Sequence, residues 1–163
     1  MDRVLRLTAL ILTGLFLLAC QRIETRKEKY PSGKLKARWE VTVSKEGEVK
    51  DGVYEEFYES GQAKSIVNYV DNKEHGVYRS YHENGKMESE IYFLEGLMDG
   101  SYKEWYDNGK KKRFAEYKDG QLHGSVKTWD SEGNVVAQGK FKKGACKKGD
   151  CNKISSGNAI RVN

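Results

Sequence analysis

Histidines and carboxylates are the side chains from which an acid–base or hydrolytic site would be built. The chain has three histidines, and two of them, His75 and His123, hold equivalent positions in a repeating pattern. Asp99 and Lys147 stand at that position in other copies, and a position that accepts all three residue types indicates an exposed turn. No serine lies in a nucleophile elbow, and the glycines do not have the spacing of a phosphate-binding loop. The sequence therefore predicts no catalysis, no cofactor and no metal site.

The first twenty residues predict another kind of chemistry, covalent lipid attachment. Two arginines precede an apolar run, 7–18, that is too short to span a bilayer comfortably and fits the core of a signal peptide. The run ends in Leu-Leu-Ala-Cys at 17–20, which resembles the lipobox of bacterial lipoproteins. This resemblance implies cleavage after a signal peptide, 1–19, and acylation of Cys20; an ordinary signal peptide with an incidental cysteine is the alternative. Gln21 then implies the outer membrane if the cell is Gram-negative.

Cys146 and Cys151 stand near the C-terminus, with four residues between them. Once Cys20 is assigned to the anchor, an even pair remains, and in an exported protein such a pair favours a disulfide. A metal site is the alternative, but no histidine lies near the pair and this spacing alone is weak evidence for zinc. We therefore expect a disulfide within a basic C-terminal tail, 145–163.

Length and charge limit the classes of function. The chain has 163 residues and a formal net charge of +5, which fits one domain after the signal peptide. This charge is too low for the dense basic stripe of a nucleic-acid-binding protein, so no nucleic-acid partner is expected. A basic exported domain would instead meet anionic envelope polymers or lipid headgroups, although lysines also keep an open sheet soluble. The charged segment 20–29 is expected to be a lipidated tether, about 30 Å long when extended.

The remainder of the chain is organised by a 24-residue repeat. A period of this size is typical of repeat architectures. The repeat domain, 30–144, comprises a partial copy at 30–51 and copies at 52–75, 76–99, 100–123 and 124–147, the last of which runs into the tail. Each full copy has one turn glycine: Gly61, Gly85, Gly109 and Gly133. Each also has one aromatic residue at its second apolar position: Phe57, Tyr81, Trp105 and Trp129.

Within each copy the apolar residues alternate, which predicts β-strands. The clearest case is the partial copy, where apolar residues occupy every second position from Leu35 to Val43. This period of two is that of a half-buried strand. Asn-Gly pairs at 84–85 and 108–109 are strong hairpin signals because glycine accepts a positive φ. The predicted fold is all-β, an antiparallel meander of stacked hairpins with about nine strands.

The turn at Gly85 decides which side chains share a face of this sheet. A two-residue loop would place Tyr78 on the apolar face, whereas a three-residue loop with Gly85 as a bulge would place Tyr81 there instead. We favour the three-residue loop because it collects more apolar side chains on one face, although several cationic side chains then fall there and must snorkel. The predicted packing column is therefore Phe57, Tyr81, Trp105 and Trp129, with Tyr54, Tyr78 and Tyr102 on the opposite face.

The copy at 100–123, GSYKEWYDNGKKKRFAEYKDGQLH, resembles the MORN-variant repeat. The resemblance covers 52–147 well and 30–51 in part. It implies an elongated, curled single sheet that serves as a protein- or lipid-contacting scaffold without catalysis. One branch of the family contains YwqK-type antitoxins, but the export signal departs from a cytosolic antitoxin. The fourth copy departs from the repeat at Val126 and Asp130.

A single-layer sheet has two faces, and one of them must be covered. The expected function is a non-catalytic envelope lipoprotein whose sheet binds a protein partner or a second copy of itself. One alternative is a binder of anionic lipid or cell-wall glycan that uses lysines with the row Tyr54, Tyr78 and Tyr102, although such tyrosines more often pack across strands. The other alternative is an immunity-like or antitoxin-like protein that acts on an exported toxin.

Overall fold

The computed structural model describes residues 22–156, which form one antiparallel sheet of eleven strands and one short helix. Each strand pairs with its neighbours in sequence, so the sheet is a meander. The strands are β1 (Arg22–Lys29), β2 (Leu35–Ser44), β3 (Gly47–Phe57), β4 (Ala63–Val70), β5 (Lys73–Tyr81), β6 (Met87–Leu94), β7 (Leu97–Trp105), β8 (Lys111–Lys118), β9 (Gln121–Trp129), β10 (Val135–Lys142) and β11 (Ala145–Gly149), and the helix is α1 (Cys151–Ser156). The predicted all-β repeat sheet is confirmed, and it is longer at both ends than expected.

The charged segment that was expected to be a tether forms strand β1. It pairs along its whole length with β2. Arg26 also reaches past β2 to form an ion pair with Glu48 of β3. The expectation of an unfolded tether is therefore wrong. An edge strand needs only one neighbour, and charged side chains along such an edge discourage pairing with other molecules.

Two kinds of turn connect most of the strands. In the first, His82 N donates to Lys86 O at 2.8 Å and Gly85 N donates to His82 O at 2.8 Å, which makes the three-residue loop favoured from the sequence. Its glycine has a φ of 79°, and the equivalent glycines have values of 92°, 88° and 94° at Gly61, Gly109 and Gly133. The second kind has two residues, such as Glu95 and Gly96 with φ values of 52° and 81°. Two positive values are the signature of a type I′ hairpin turn.

A bulge that the sequence did not reveal reverses the predicted faces. Strands β5 and β6 change register between Ser80 and Tyr81, where β6 has one extra residue, Glu88. A shift of one residue exchanges the two faces of a strand, and Tyr78 accordingly lies opposite Ile91. The predicted turn is present, but the predicted assignment of the faces is wrong. The other full copies have the same kind of register change after their turns.

The face that carries Ile91, which we call the inner face, forms the core. Its most buried side chains are Ala37, Val41, Val67, Ile91, Phe93, Tyr102, Ala115, Val126, Ala137 and Phe141. Tyrosines of one strand contact rings of the next strand edge to face, an arrangement that stabilises beyond simple burial. These ring pairs and their centroid separations are Tyr54–Tyr69 (5.9 Å), Tyr78–Phe93 (6.3 Å) and Tyr102–Tyr117 (6.4 Å).

The C-terminal segment closes the end of this core. Strand β11 extends the sheet, and α1 places Ile154, only 7% exposed, in the same cluster as Val126. Gly139 holds the position of Ile91 and Ala115 in the earlier copies, and a side-chain carbon there would lie 3.0 Å from Ile154 Cδ1. The fourth copy therefore departs from the repeat pattern where Ile154 needs space. Much of what was expected to be a basic tail is instead a cap, which repeat arrays require at their ends.

Candidate interaction surface

The face opposite the core, which we call the outer face, carries the aromatic column that the sequence analysis placed in the core. This outer row consists of Phe57, Tyr81, Trp105 and Trp129, each only partly buried. Consecutive members stand on strands two apart in the sheet, which separates them by about 10 Å. The outer row is thus a regular series of partly exposed rings on a hydrogen-bonded sheet, and it contributes no member to the buried cluster.

Cationic side chains lie over the two ends of the outer row. The Arg38 guanidinium carbon is 5.6 Å from the centroid of the Phe57 ring. At the other end, the Nζ atoms of Lys111 and Lys127 are 6.0 Å and 5.4 Å from the Trp129 ring. Attraction between a cation and the face of an aromatic ring holds such pairs in place. The two ends of the row therefore combine aromatic and positively charged groups.

The middle of the outer face is held by ion pairs. Arg79 Nε and Lys103 Nζ lie 3.2 Å and 2.9 Å from the Glu90 carboxylate. Lys103 and, to a smaller extent, Arg79 hold the pKa of Glu90 below its ordinary value. In the predicted core, these cationic side chains would have lain on an apolar face, and their charged groups would have had to reach back to solvent. With the faces reversed, they lie at the surface with a partner.

A second row, missed in the sequence, links each repeat to the next. The hydroxyls of Tyr30, Tyr58 and Tyr106 donate to backbone carbonyls about one repeat further along the chain, at 2.7, 2.7 and 2.9 Å. His82 takes the tyrosine's place in this row, with Nε2 3.0 Å from Trp105 O. The acceptor carbonyls all belong to the outer row. In the sequence, Tyr58, His82 and Tyr106 each follow an outer-row aromatic directly, but this position gives no indication of the hydrogen-bond partner.

The tyrosine row offered as a ligand site lies in the core instead. Tyr102 is 6% exposed, and its hydroxyl donates to Glu104 at 3.1 Å. Tyr54 donates in the same way to Glu56 at 3.0 Å. Burial raises the pKa of Tyr102, and it raises the pKa of Tyr69 to about 12. A glycan or lipid surface has no access to these rings as a continuous row, so this site assignment is wrong.

The more open N-terminal end of the inner face holds a cation of its own. Lys50 Nζ lies 5.7 Å from the Trp39 ring, 4.8 Å from the Tyr54 ring and 5.1 Å from the Tyr69 ring. Three rings around one ammonium group form an aromatic cage. Because the chain's own lysine fills this cage, the inner face offers no vacant site for a cationic ligand there.

Two clefts open near the ends of the sheet. The first, of about 510 Å³, has lining residues of both charges, including Lys27, Arg38 and Glu55, and Arg38 and Glu55 form an ion pair. The second, of about 280 Å³, we call the lysine cleft. Its lining includes Ser125, Lys127, Gln138, Lys140, Lys148 and Gly149. The first cleft neutralises its own charge, whereas the second gathers lysines.

Cys146 and Cys151 are joined by a disulfide, with their Cα atoms 5.9 Å apart. The bridge connects β11 to the start of α1. Lys148 and Gly149 belong to the short loop that the bridge closes, and both line the lysine cleft. The disulfide therefore constrains one wall of that cleft.

The groups from which catalysis or metal binding could be built are dispersed. Within residues 22–156, no group of three or more His, Cys, Asp or Glu side chains could hold a metal ion. His75 and His123 are exposed residues of β5 and β9, not turn residues as predicted.

Within residues 22–156, no helix is both long and apolar enough to cross a membrane. The expected lipidation site Cys20, its neighbour Gln21 and the signal peptide lie outside the described residues.

Comparison with known proteins agrees with the repeat geometry. A family model described as "MORN repeat variant" matches 50–71, 74–95, 98–119 and 122–143. The four matches begin 24 residues apart and together cover more than half of the chain. Each match contains one three-residue turn flanked by a strand on either side. No curated protein matches the chain. The chain therefore belongs to the MORN repeat variant family.

Proposed function

We propose that this protein is a lipid-anchored envelope scaffold, without catalytic activity, whose outer face binds a protein partner. The proposal rests on the difference between the two faces of the sheet: the inner face forms the core, and the outer face is open to solvent. The tyrosine row and its ring partners fill the inner face, so the outer row is the repeated aromatic surface that remains for recognition. Tyrosine, tryptophan and arginine are also the residues that are enriched at protein interfaces.

The proposed anchor would sit next to the sheet. Strand β1 begins at Arg22, two positions after Cys20, so no flexible spacer of about 30 Å intervenes. Acylation of Cys20 would hold the N-terminal edge of the sheet at the membrane surface. From there, ten strand spacings would carry the array about 48 Å along the sheet to β11. The outer row would be presented along that length.

The absence of catalysis is part of the proposal and rests on the same columns. A catalytic site in a repeat protein would break the regular columns at one place. Within residues 22–156, the departure at Gly139 makes room for Ile154, which belongs to the same cluster as Val126, and so serves packing. Repeat sheets of this family are typically non-enzymatic. The proposed function of the molecule is therefore to bind a partner and not to catalyse a reaction.

Site-specific photo-crosslinking in cells tests the partner. A photoreactive phenylalanine analogue replaces Trp105 or Tyr81 on the outer face, and the matched control carries it at Glu59, an exposed turn residue. We expect one discrete adduct, identical by mass spectrometry, from both outer positions and none from Glu59. Absence of an adduct at both outer positions, or the same adduct at Glu59, would contradict the use of this face.

Lipid labelling tests the anchor independently. The full chain should incorporate labelled palmitate and stay in the membrane fraction, whereas Cys20→Ser should do neither and should retain its signal segment. Membrane attachment of Cys20→Ser at the wild-type level would show that the protein is not held by this lipid. That result would leave the crosslinking experiment, and hence the outer face, unaffected.

A further inference from the structure

The lysine cleft has a charge pattern that the rest of the outer face lacks. Lys127 and Lys140 project from β9 and β10, and Lys148 comes from β11. None of the three makes an ion pair with a carboxylate within residues 22–156, in contrast to Arg38, Arg79 and Lys103. Three ammonium groups gathered around one cleft without counter-charges favour an anionic ligand.

Two carboxylates accept hydrogen bonds from backbone groups of residues that line the cleft. Glu116 accepts a hydrogen bond from Ser125 N, and Asp150 accepts one from Gln138 N at 3.1 Å. Neither is a lining residue. These contacts satisfy backbone donors of the outer strands and leave the three lysine ammonium groups without a carboxylate partner among the described residues. The cleft thus keeps a net positive charge even when both carboxylates are counted.

The neutral surroundings of the cleft indicate what kind of anion fits. Trp129 is not a lining residue of the cleft, but the Nζ atom of Lys127, which does line it, stands 5.4 Å from the centroid of the Trp129 ring. Ser125 and Gln138 add a hydroxyl and an amide, which can donate to and accept from ligand hydroxyls. Polar groups for the hydroxyls of a sugar and lysines for a carboxylate together match an acidic sugar. We propose that the lysine cleft binds a carboxylate-bearing sugar of an envelope glycan.

The disulfide makes this site conditional on oxidation. Lys148 and Gly149 lie in the loop closed by Cys146 and Cys151, and the loop lies against β10. Gly149 also approaches closely, since a side-chain carbon on it would lie 2.2 Å from Gln138 O. Loss of the bridge would free the wall that carries Lys148. Binding should therefore weaken when the two cysteines cannot pair.

The envelope origin of the sugar rests on the proposed function, whereas binding of an acidic sugar by the cleft is independent of the protein partner and of the anchor. The lysine cleft lies at the opposite end of the sheet from β1, where the proposed lipid would be attached. A molecule held to the membrane at one end and to a glycan at the other would connect two layers of an envelope. Failure of the crosslinking or palmitate experiments would leave the cleft's binding measurable on purified protein.

Calorimetry on the full chain in micelles of a neutral detergent tests the proposal. The probe is a tetrasaccharide of alternating glucuronate and N-acetylglucosamine, and the neutral tetramer of N-acetylglucosamine is its matched control. We expect the acidic probe alone to bind, with an affinity that falls as salt rises. Lys140→Gln and Lys148→Gln should each weaken it about tenfold or more. Lys147→Gln, which removes the same charge from an exposed position outside the lining, should leave the affinity unchanged.

Two further measurements complete the test. Trp129 fluorescence should change on addition of the acidic probe, and the double variant Cys146→Ser/Cys151→Ser should bind more weakly while keeping the strand signal of the repeats. No binding, equal binding of the neutral tetramer, or displacement of the sugar by inorganic phosphate at equal concentration would overturn the proposal. Equal losses for Lys147→Gln and Lys148→Gln would also overturn it, since general surface charge would then explain the binding.

Discussion

At the scale of single residues, Gly109 is the clearest case in which backbone geometry dictates the residue type. Its φ is 88°, a region that a β-carbon makes costly. Gly109→Val should therefore lower the free energy of unfolding by at least about 1 kcal/mol. Lys110→Val, in the same turn, changes an exposed side chain with an ordinary φ and should cost clearly less. Equal losses in urea denaturation would mean that the turn does not have this conformation.

The buried tyrosines give the fold a predictable response to alkali. Burial raises the pKa of Tyr69 from 10.0 to about 12, and the pKa of Tyr102 is raised by the same cause. Above pH 10 the unfolded chain loses phenolic protons that the folded chain retains, so the unfolded state is favoured. The free energy of unfolding should fall between pH 10 and 12, as measured by urea denaturation. Tyr69→Phe should flatten this dependence, and an unchanged slope in the variant would contradict the assignment.

At the scale of elements, the sequence predicted the hairpins and their turns but not which face they bury. Period-two alternation and Asn-Gly pairs reveal strands and turns because both depend on local backbone preferences. The bulge at Glu88 depends on how β6 meets β5, and a glutamate in a strand carries no local mark of it. One extra residue exchanges the two faces of a strand. The turn was therefore predicted correctly, but the residues predicted to form the core lie on the opposite face. The sequence likewise did not predict three buried serines that lie across from one another in neighbouring strands, Ser65, Ser80 and Ser89.

The C-terminal cap is an element whose stability can be separated from that of the repeats. The disulfide closes a loop of six residues, so its removal should cost about 2 kcal/mol. The loss of stability should be confined to β11 and α1, because β11 is the last strand of the sheet and has β10 as its neighbour. Hydrogen exchange on Cys146→Ser/Cys151→Ser should show faster exchange at 145–156 and unchanged protection in β5 to β8. Loss of protection across the whole sheet would show that the cap is required for the array to fold.

At the scale of the whole molecule, the ends of the array were the parts that the sequence described least well. Composition marked 20–29 as unable to fold alone, which is correct for an isolated segment, but an existing sheet edge supplies the partner that such a segment lacks. The basic tail was likewise judged apart from the core that Ile154 caps. Both errors arise because the periodic signal ends where the final strands are held by tertiary contacts. The proposed function follows from the corrected picture, in which the sheet runs from β1, beside the proposed anchor, to the lysine cleft at the capped end.

The measurement that tests this account most directly compares Tyr102→Ala with Trp105→Ala in urea denaturation. Tyr102 is 6% exposed in the core, so its loss should cost about 3–5 kcal/mol. Trp105 is more exposed than Tyr102 and lies on the outer face, so its loss should lower the free energy of unfolding by less than the loss of Tyr102, while it should abolish the crosslink formed from Tyr81. A larger loss of stability for Trp105→Ala than for Tyr102→Ala would return the outer row to the core and remove the proposed recognition surface.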